Sequence, residues 1–330
     1  MSTHLLKSMT AKLELAQQPS SRTPAWIATA SLFASLIPLS LAPILVKLCE
    51  REIGSNAVAF HRGWIAAIVF GLLSTVEALD RQKSDRQLVE QKPFTRREFG
   101  LLVALGTFGA TYFLLWSLSL TQTNVANVTL FCGLNPLFVG LGGWLLLGRR
   151  YNSRFIIGMV LAVAGAIAMG LDDVQFATNN QVQGNAVALL SGICFAAYLI
   201  LLELLRERFT TATLLLWRCA FTTMFAFPVL ALAEETLFPH SWMGWFFVIL
   251  QAILCQVLGQ GLLAYSLSRL SSGFVAVTLL FEPVLASILA WVIFSERLGF
   301  FDLMAFVVIL CGIYVAQSSQ SAVKETRELT

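Results

Sequence analysis

Three charged side chains sit where charge is costly. Glu282 lies beside Pro283 in the run Leu280-Phe281-Glu282-Pro283-Val284-Leu285, and Arg62 and Arg218 each interrupt a stretch apolar enough to lie in a bilayer. A carboxylate or guanidinium there must be paired, hydrogen-bonded or turned to a polar cavity, and it marks a functional-site hypothesis by default. The chemistry open to such a set is binding and proton exchange. A guanidinium takes an anion, and a carboxylate that gains and loses a proton can couple movement to a proton gradient. Glu282 can equally be a fixed structural acid satisfied by a neighbouring helix.

Arg218 and Glu282 lie about nine and ten residues into their stretches from the same side, so at ~1.5 Å per residue they share a depth, and a pair between them is expected. Arg62 has no such acid in its own half, which leaves it a cationic head for a substrate carboxylate or other anion. The alternative is that Arg62 snorkels to the interface or caps helix carbonyls. Asn127, Phe131 and Asn135 recur at i, i+4 and i+8, and Phe274, Thr278 and Glu282 repeat the spacing. Such a stripe can line a cavity or make interhelical hydrogen bonds of about 1 kcal/mol each. Gln256 and Gln260, four apart, share that ambiguity, with Gln251 on a neighbouring face. Trp116 and Tyr265 can wall a pocket or anchor their helices at the interface; Tyr198 and Trp217 are weaker candidates for the cavity.

The elements that must position these residues are helices. Of 330 residues, 57% are hydrophobic and 12% charged, with a mean hydropathy of +0.75; a soluble domain carries roughly 25% charge. The composition is that of an integral membrane protein. A net charge of +3 with the basic residues in short loops implies no nucleic-acid partner; the partners expected are the lipid bilayer and a small-molecule metabolite. Ten stretches reach spanning length: near Trp26–Val46, Ser55–Val76, Glu98–Leu118, Asn124–Leu147 and Phe155–Leu171, then Gly184–Leu204, Thr210–Leu232, Trp242–Tyr265, Gly273–Phe294 and Phe301–Ala316. A long polar loop is expected from Glu77 to Arg97. Segments 1–25 and 317–330 are polar tails, and 26–171 and 184–316 are two halves of five spans.

The halves read as one unit written twice. Aligning Pro136 with Pro283, the expected helix kinks, also pairs Asn135 with Glu282, Trp144 with Trp291, Gly165 with Gly312 and Arg150 with Arg297. His61-Arg62-Gly63 matches Trp217-Arg218-Cys219, and Trp116-Ser117-Leu118-Ser119 matches Tyr265-Ser266-Leu267-Ser268. Five spans per half set the second half upside down relative to the first, and inverted repeats belong to secondary transporters that alternate access around a midplane site. With the N-terminus inside, seventeen of the 22 lysines and arginines fall on the inner side and three on the outer, so both termini are expected to be cytoplasmic, in an inner (plasma) membrane.

With Glu282-Pro283-Val284 followed by Ser295-Glu296-Arg297, and Gly184-Asn185-Ala186 running on to Ala197-Tyr198, the chain resembles the drug/metabolite transporter superfamily, specifically its EamA-type members. The resemblance covers about Trp26 to Ala316. It implies an all-α, ten-helix permease of two five-helix repeats with a central cavity, a carrier or exporter of a small polar metabolite. The position matching Glu296 is Arg149, a departure from the acidic-basic pair that often ends the family's fourth helix.

Other functions find little footing. The sequence holds no H-E-x-x-H, no GxSxG in a suitable turn and no G-x-x-x-x-G-K-[ST], so neither an intramembrane lipid enzyme nor an ATP-driven pump is indicated. A non-transporting receptor or scaffold is the remaining alternative. The six cysteines and three histidines show no ligand spacing, so no metal or cofactor is expected. Gly158, Ala162, Ala166 and Gly170 form a small-residue stripe for close helix approach; homodimerisation through it lacks a matching stripe in the tenth span.

Overall fold

A computed structural model describes residues 25–84, 95–122, 128, 131–171, 179–206, 208–232, 236–294 and 300–319. Among them the chain is helical, and no strand forms. The helices are α1 (Ala25–Ser40), α2 (Ala42–Cys49), α3 (Ser55–Ser84), α4 (Arg96–Gln122), α5 (Asn135–Leu147), α6 (Ser153–Leu171), α7 (Asn179–Leu205), α8 (Thr211–Leu232), α9 (Trp242–Leu250), a π-helical stretch Gln251–Gly259, α10 (Gln260–Ser266), α11 (Ser272–Leu279), α12 (Phe281–Phe294) and α13 (Phe300–Gln317).

Six helical stretches are long and apolar enough to cross a membrane: Trp26–Val46, Ser55–Leu79, Arg96–Ser119, Val182–Leu205, Thr211–Leu232 and Trp242–Ser266. Four more are apolar but shorter, at Asn135–Leu147, Ser153–Ala168, Ser272–Ala286 and Met304–Gln317. These lengths count described residues alone, and helix breaks within them fall beside prolines. Proline cannot donate to the helical ladder and crowds the preceding turn. Accordingly α5 restarts after a turn with proline in its first turn, and α11 stops at Leu280 before α12 begins two residues ahead of Pro283. The first span breaks likewise at Leu41, between Pro38 and Pro43.

Two boundaries differ from expectation. Helix α3 continues to Ser84, so the first part of the expected Glu77–Arg97 loop is helical, and α7 begins at Asn179, ahead of Gly184. Both overhangs are polar. An apolar run marks the part of a helix that suits lipid, and the backbone ladder continues into water beyond it.

Packing couples the halves. Helix α3 runs along α8 and α6 along α13; α4 packs on α7 and α8; α1 packs on the π-helical stretch, α10 and α12; α5 packs on α7 and α11; and α3 touches the π-helical stretch. Exchanging the helices of the first half for those of the second maps this set of contacts onto itself. Between α6 and α13 the backbones nearly touch: a Cβ on Gly158 would lie 2.4 Å from the Ala316 nitrogen, and one on Gly312 2.4 Å from the Ala162 nitrogen. The small-residue stripe is therefore used inside the bundle.

Polar ties close the ends. Gly148, at φ +63°, caps α5 in the left-handed conformation and turns the chain to Arg149. Both outer nitrogens of Arg149 bond Glu203, at 2.8 and 2.7 Å, and Glu203 also accepts the Ser272 backbone N–H at 2.9 Å. One fully buried carboxylate thus joins the end of α5, the last turn of α7 and the start of α11. Nearby, Glu98 accepts the Thr95 N–H at 3.0 Å, capping α4, and pairs with Arg208. At a second loop cluster Glu52 accepts the backbone N–H groups of His240 and Ser241 and bonds the Ser241 hydroxyl, which itself caps α9 through Gly244.

Candidate functional site

Arg62 and Arg218 occupy the same station in paired helices, each seven residues past the start of its helix, or about 10 Å along the axis. Because α3 and α8 pack together, both guanidinium groups reach the bundle interior; Arg62 is 6% exposed and Arg218 2%. That burial excludes a snorkelling Arg62.

The two arginines are held differently. Arg218 donates to Gln260 Oε1 at 2.7 Å, to the Tyr112 hydroxyl at 2.6 Å and to the Tyr198 hydroxyl at 3.4 Å. Its guanidinium carbon lies 4.8 Å from the Tyr198 ring centre and 5.2 Å from that of Tyr112, and those two rings stack. Only its Nε lacks an acceptor. Arg62 donates Nε to Gln256 Oε1 at 2.8 Å and lies 4.7 Å from the Phe113 ring centre. Its two terminal nitrogens carry no hydrogen bond to a described residue.

The π-helical stretch supplies both glutamines. Gln256 lies within it and Gln260 opens the next helix, so one segment serves both arginines; Gln256 also donates to Cys219 Sγ at 3.3 Å. A π turn carries about 4.4 residues, which swings Gln251 toward the Gln256 face compared with an α-helix. Gln251 is fully buried, and neither of its amide atoms has a partner.

Glu282 sits in the first turn of α12, where the backbone N–H groups of a helix start favour negative charge. Asn135 opens α5 in the same way. Arg62 is the charged neighbour that acts on Glu282, and Arg218 also acts on Arg62. Glu282 is half-buried. The expected Arg218–Glu282 ion pair does not form: the outer nitrogens of Arg218 turn to Gln260, Tyr112 and Tyr198. Shared depth placed the two charges on one level without fixing which way each helix faces.

The remaining sequence candidates divide. Gln256 and Gln260 join the arginines. Asn135 Oδ1 is buried without a partner and faces Gly192 of α7, where an added Cβ would lie 2.6 Å away. Thr278 is buried, with its hydroxyl returned to the Phe274 carbonyl of its own helix at 2.9 Å. Trp116 packs on Phe113, ring centres 5.8 Å apart, behind the Arg62 cation-π contact. Tyr265 lies apart, lining a cleft of about 450 Å³ with Glu77, Arg206, Arg208, Phe209, Thr210 and Thr211. Trp217 packs against Phe99 and Phe221. Asn127 lies outside the described residues.

Sequence reading missed Tyr112, Phe113 and Glu203. Tyr112 precedes Trp116 by four residues, one helical turn, so it shares that face; this signal was present. Glu203 reads as the polar end of a span, and nothing local reveals that Arg149, 54 residues away, reaches it. His61 is a structural histidine: Trp64 Nε1 donates to its Nδ1 at 2.9 Å, and its Nε2 bonds the Leu237 carbonyl at 2.7 Å. Among the described residues no cluster of His, Cys, Asp and Glu could hold a metal ion.

Comparison with known proteins agrees with this architecture. The profile of the EamA-like transporter family matches residues 25–171 and again 182–317. The uncharacterized transporter YetK of Bacillus subtilis (strain 168) is 25% identical over 185 residues, 54% of this chain and 56% of YetK. The chain thus spans little more than half of that relative. The pseudopaline exporter CntI of Pseudomonas aeruginosa (strain UCBPP-PA14) is 23% identical over 257 residues, 78% of this chain and 84% of CntI. A solved crystal structure superposes with a TM-score of 0.70 at 19% identity, covering 88% of this chain and 96% of the other; it shares the fold.

Proposed function

Since the chain belongs to the EamA-like transporter family, and is thus a multi-pass membrane transporter, we propose that it is a secondary carrier. It moves a small polar metabolite by alternating access around the interior site formed by Arg62, Glu282, Gln256 and Asn135. The observation that carries this reading is the site itself: two buried arginines and a half-buried carboxylate among apolar helices, with the terminal nitrogens of Arg62 and Asn135 Oδ1 bonded to no described residue. A purely structural charge cluster saturates its donors, because an unsatisfied buried polar group costs about 1–3 kcal/mol. A site that receives a polar cargo keeps them open.

Ten spans in two inverted repeats are part of this reading, with α11–α12 forming one broken span and α5 belonging to its counterpart. Support comes from the exchange symmetry of the helix contacts and from the odd number of segments per half. Broken helices at the centre of inverted repeats are where transporters build their sites. The distribution of basic residues supports cytoplasmic termini in an inner (plasma) membrane. Glu282 is the coupling residue in this reading, exchanging a proton as cargo passes.

The test is uptake into proteoliposomes of the full chain, using a radiolabelled panel of amino acids, sugars, nucleotides and organic acids with and without an imposed pH gradient. Saturable uptake of at least one compound is expected, with Glu282→Gln abolishing its response to the gradient. A panel without saturable uptake contradicts the carrier reading; a gradient response that survives Glu282→Gln removes Glu282 as the proton carrier and leaves the carrier standing.

A further inference from the structure

Among the described residues none hydrogen-bonds the terminal nitrogens of Arg62, while its Nε and one face are engaged. Gln256 accepts from Nε and Phe113 covers a face. With Nε fixed, the pair of terminal nitrogens remains as a planar fork, the geometry that receives two oxygens side by side. Arg218 offers no such fork, because its terminal nitrogens are spent on Gln260, Tyr112 and Tyr198.

Charge counting leads to the same place. Away from the span ends, the membrane segments carry Arg62, Arg218 and one acid, Glu282. Between Glu98 and Asp172 the sequence has no acidic residue, so α5 and the stretch before it bring no further counter-charge. With Glu282 in its ionised form, the count is two cations to one carboxylate. An excess positive charge in a low-dielectric interior is costly, and a singly charged anion bound at Arg62 cancels it. A dianion in the same place leaves a net negative interior and stands in the field of Glu282.

We propose that the cargo carries a carboxylate and that the terminal nitrogens of Arg62 are its receptor, with Gln256 as the positioning residue that presents the fork. This rests on the carrier reading above and narrows its substrate class. Phosphate shares the two-oxygen geometry, and its second charge is what the site disfavours.

The experiment is ligand-induced thermal stabilisation of the purified full chain by lactate, acetate and benzoate, each against its neutral amide, with inorganic phosphate alongside. At least one carboxylate is expected to raise the unfolding midpoint where its amide does not. Arg62→Gln should weaken its apparent affinity at least about tenfold, the loss of one bidentate charged contact, with the ligand-free midpoint little changed. Arg62→Lys keeps the charge without the fork and falls between; Gln256→Leu weakens the same carboxylate while leaving the preference over its amide. Absence of any carboxylate shift, equal shifts in Arg62→Gln, or equal stabilisation by amide or phosphate overturns the inference. Saturable uptake of a neutral compound untouched by Arg62→Gln overturns it too, while leaving the carrier reading intact.

Discussion

The two halves of this molecule place an arginine at the same repeat position and use it differently. Arg218 is enclosed by two stacked tyrosines and a glutamine, whereas Arg62 has one glutamine, one phenylalanine and an open fork. A duplicated sequence supplies two similar sites, and once the terminal nitrogens of one are spent it becomes scaffold while its twin stays available. The difference lies in the aromatic neighbours: tyrosine hydroxyls reach Arg218, and the Phe113 ring that reaches Arg62 has none. Function in this account tracks unsatisfied donors.

The comparison breaks most readily at Arg218. Arg218→Leu strips the partner from Gln260, Tyr112 and Tyr198 together, and by the arithmetic of a buried polar network it should cost about 3–5 kcal/mol. Loss of the folded, monodisperse protein in detergent is the readout. Arg62→Gln should stay folded, within about 1 kcal/mol of wild type in reversible SDS unfolding. Equal losses from both would erase the distinction.

The glutamines sharpen it further. Gln260→Leu should lower stability by about 1–3 kcal/mol, since it uncovers a nitrogen of Arg218; Gln256→Leu should act mainly on uptake. A reversed pattern, stability at Gln256 and uptake at Gln260, would exchange the roles of the arginines.

Scaffold ties outside the site follow. Glu203→Gln leaves half-exposed Arg149 unpaired and weakens the Ser272 contact, and should cost about 2 kcal/mol once solvent screening of Arg149 is allowed for. It is measured by the unfolding midpoint. The smallest effect belongs to Glu52, whose carboxyl is held below the usual range chiefly by its hydrogen bonds to Ser241. A lowered folded value means the stabilisation is present above the unfolded carboxylate pKa and disappears as pH falls through the folded value. The wild type should therefore exceed Glu52→Gln in thermal stability at neutral pH, and the gap should close on acidification; a gap constant with pH contradicts this.

Much of the architecture was legible in the residues because lipid imposes a simple rule. Apolar runs marked the helices, Pro136 and Pro283 marked the breaks, and the repeat alignment paired Arg62 with Arg218 before their helices were seen to pack. Helix ends were less legible: the polar overhangs of α3 and α7 carry no hydropathy signal. Side-chain partners were the least legible. Depth along a helix follows from counting residues, but direction around the axis depends on the crossing helix, so the expected Arg218–Glu282 pair does not form. Gln256 and Gln260 appeared as an ambiguous pair, and the π-helical turn that aims them has no sequence mark.

The central claim is that Arg62 works and Arg218 supports. Its most direct test is side-by-side measurement of unfolding midpoint and saturable uptake in proteoliposomes for wild type, Arg62→Gln and Arg62→Lys, using the carboxylate that stabilises the wild type. The account predicts near-wild-type midpoints, uptake abolished in Arg62→Gln and reduced in Arg62→Lys. Folded Arg62→Gln protein that takes up the same compound at the wild-type rate would contradict it.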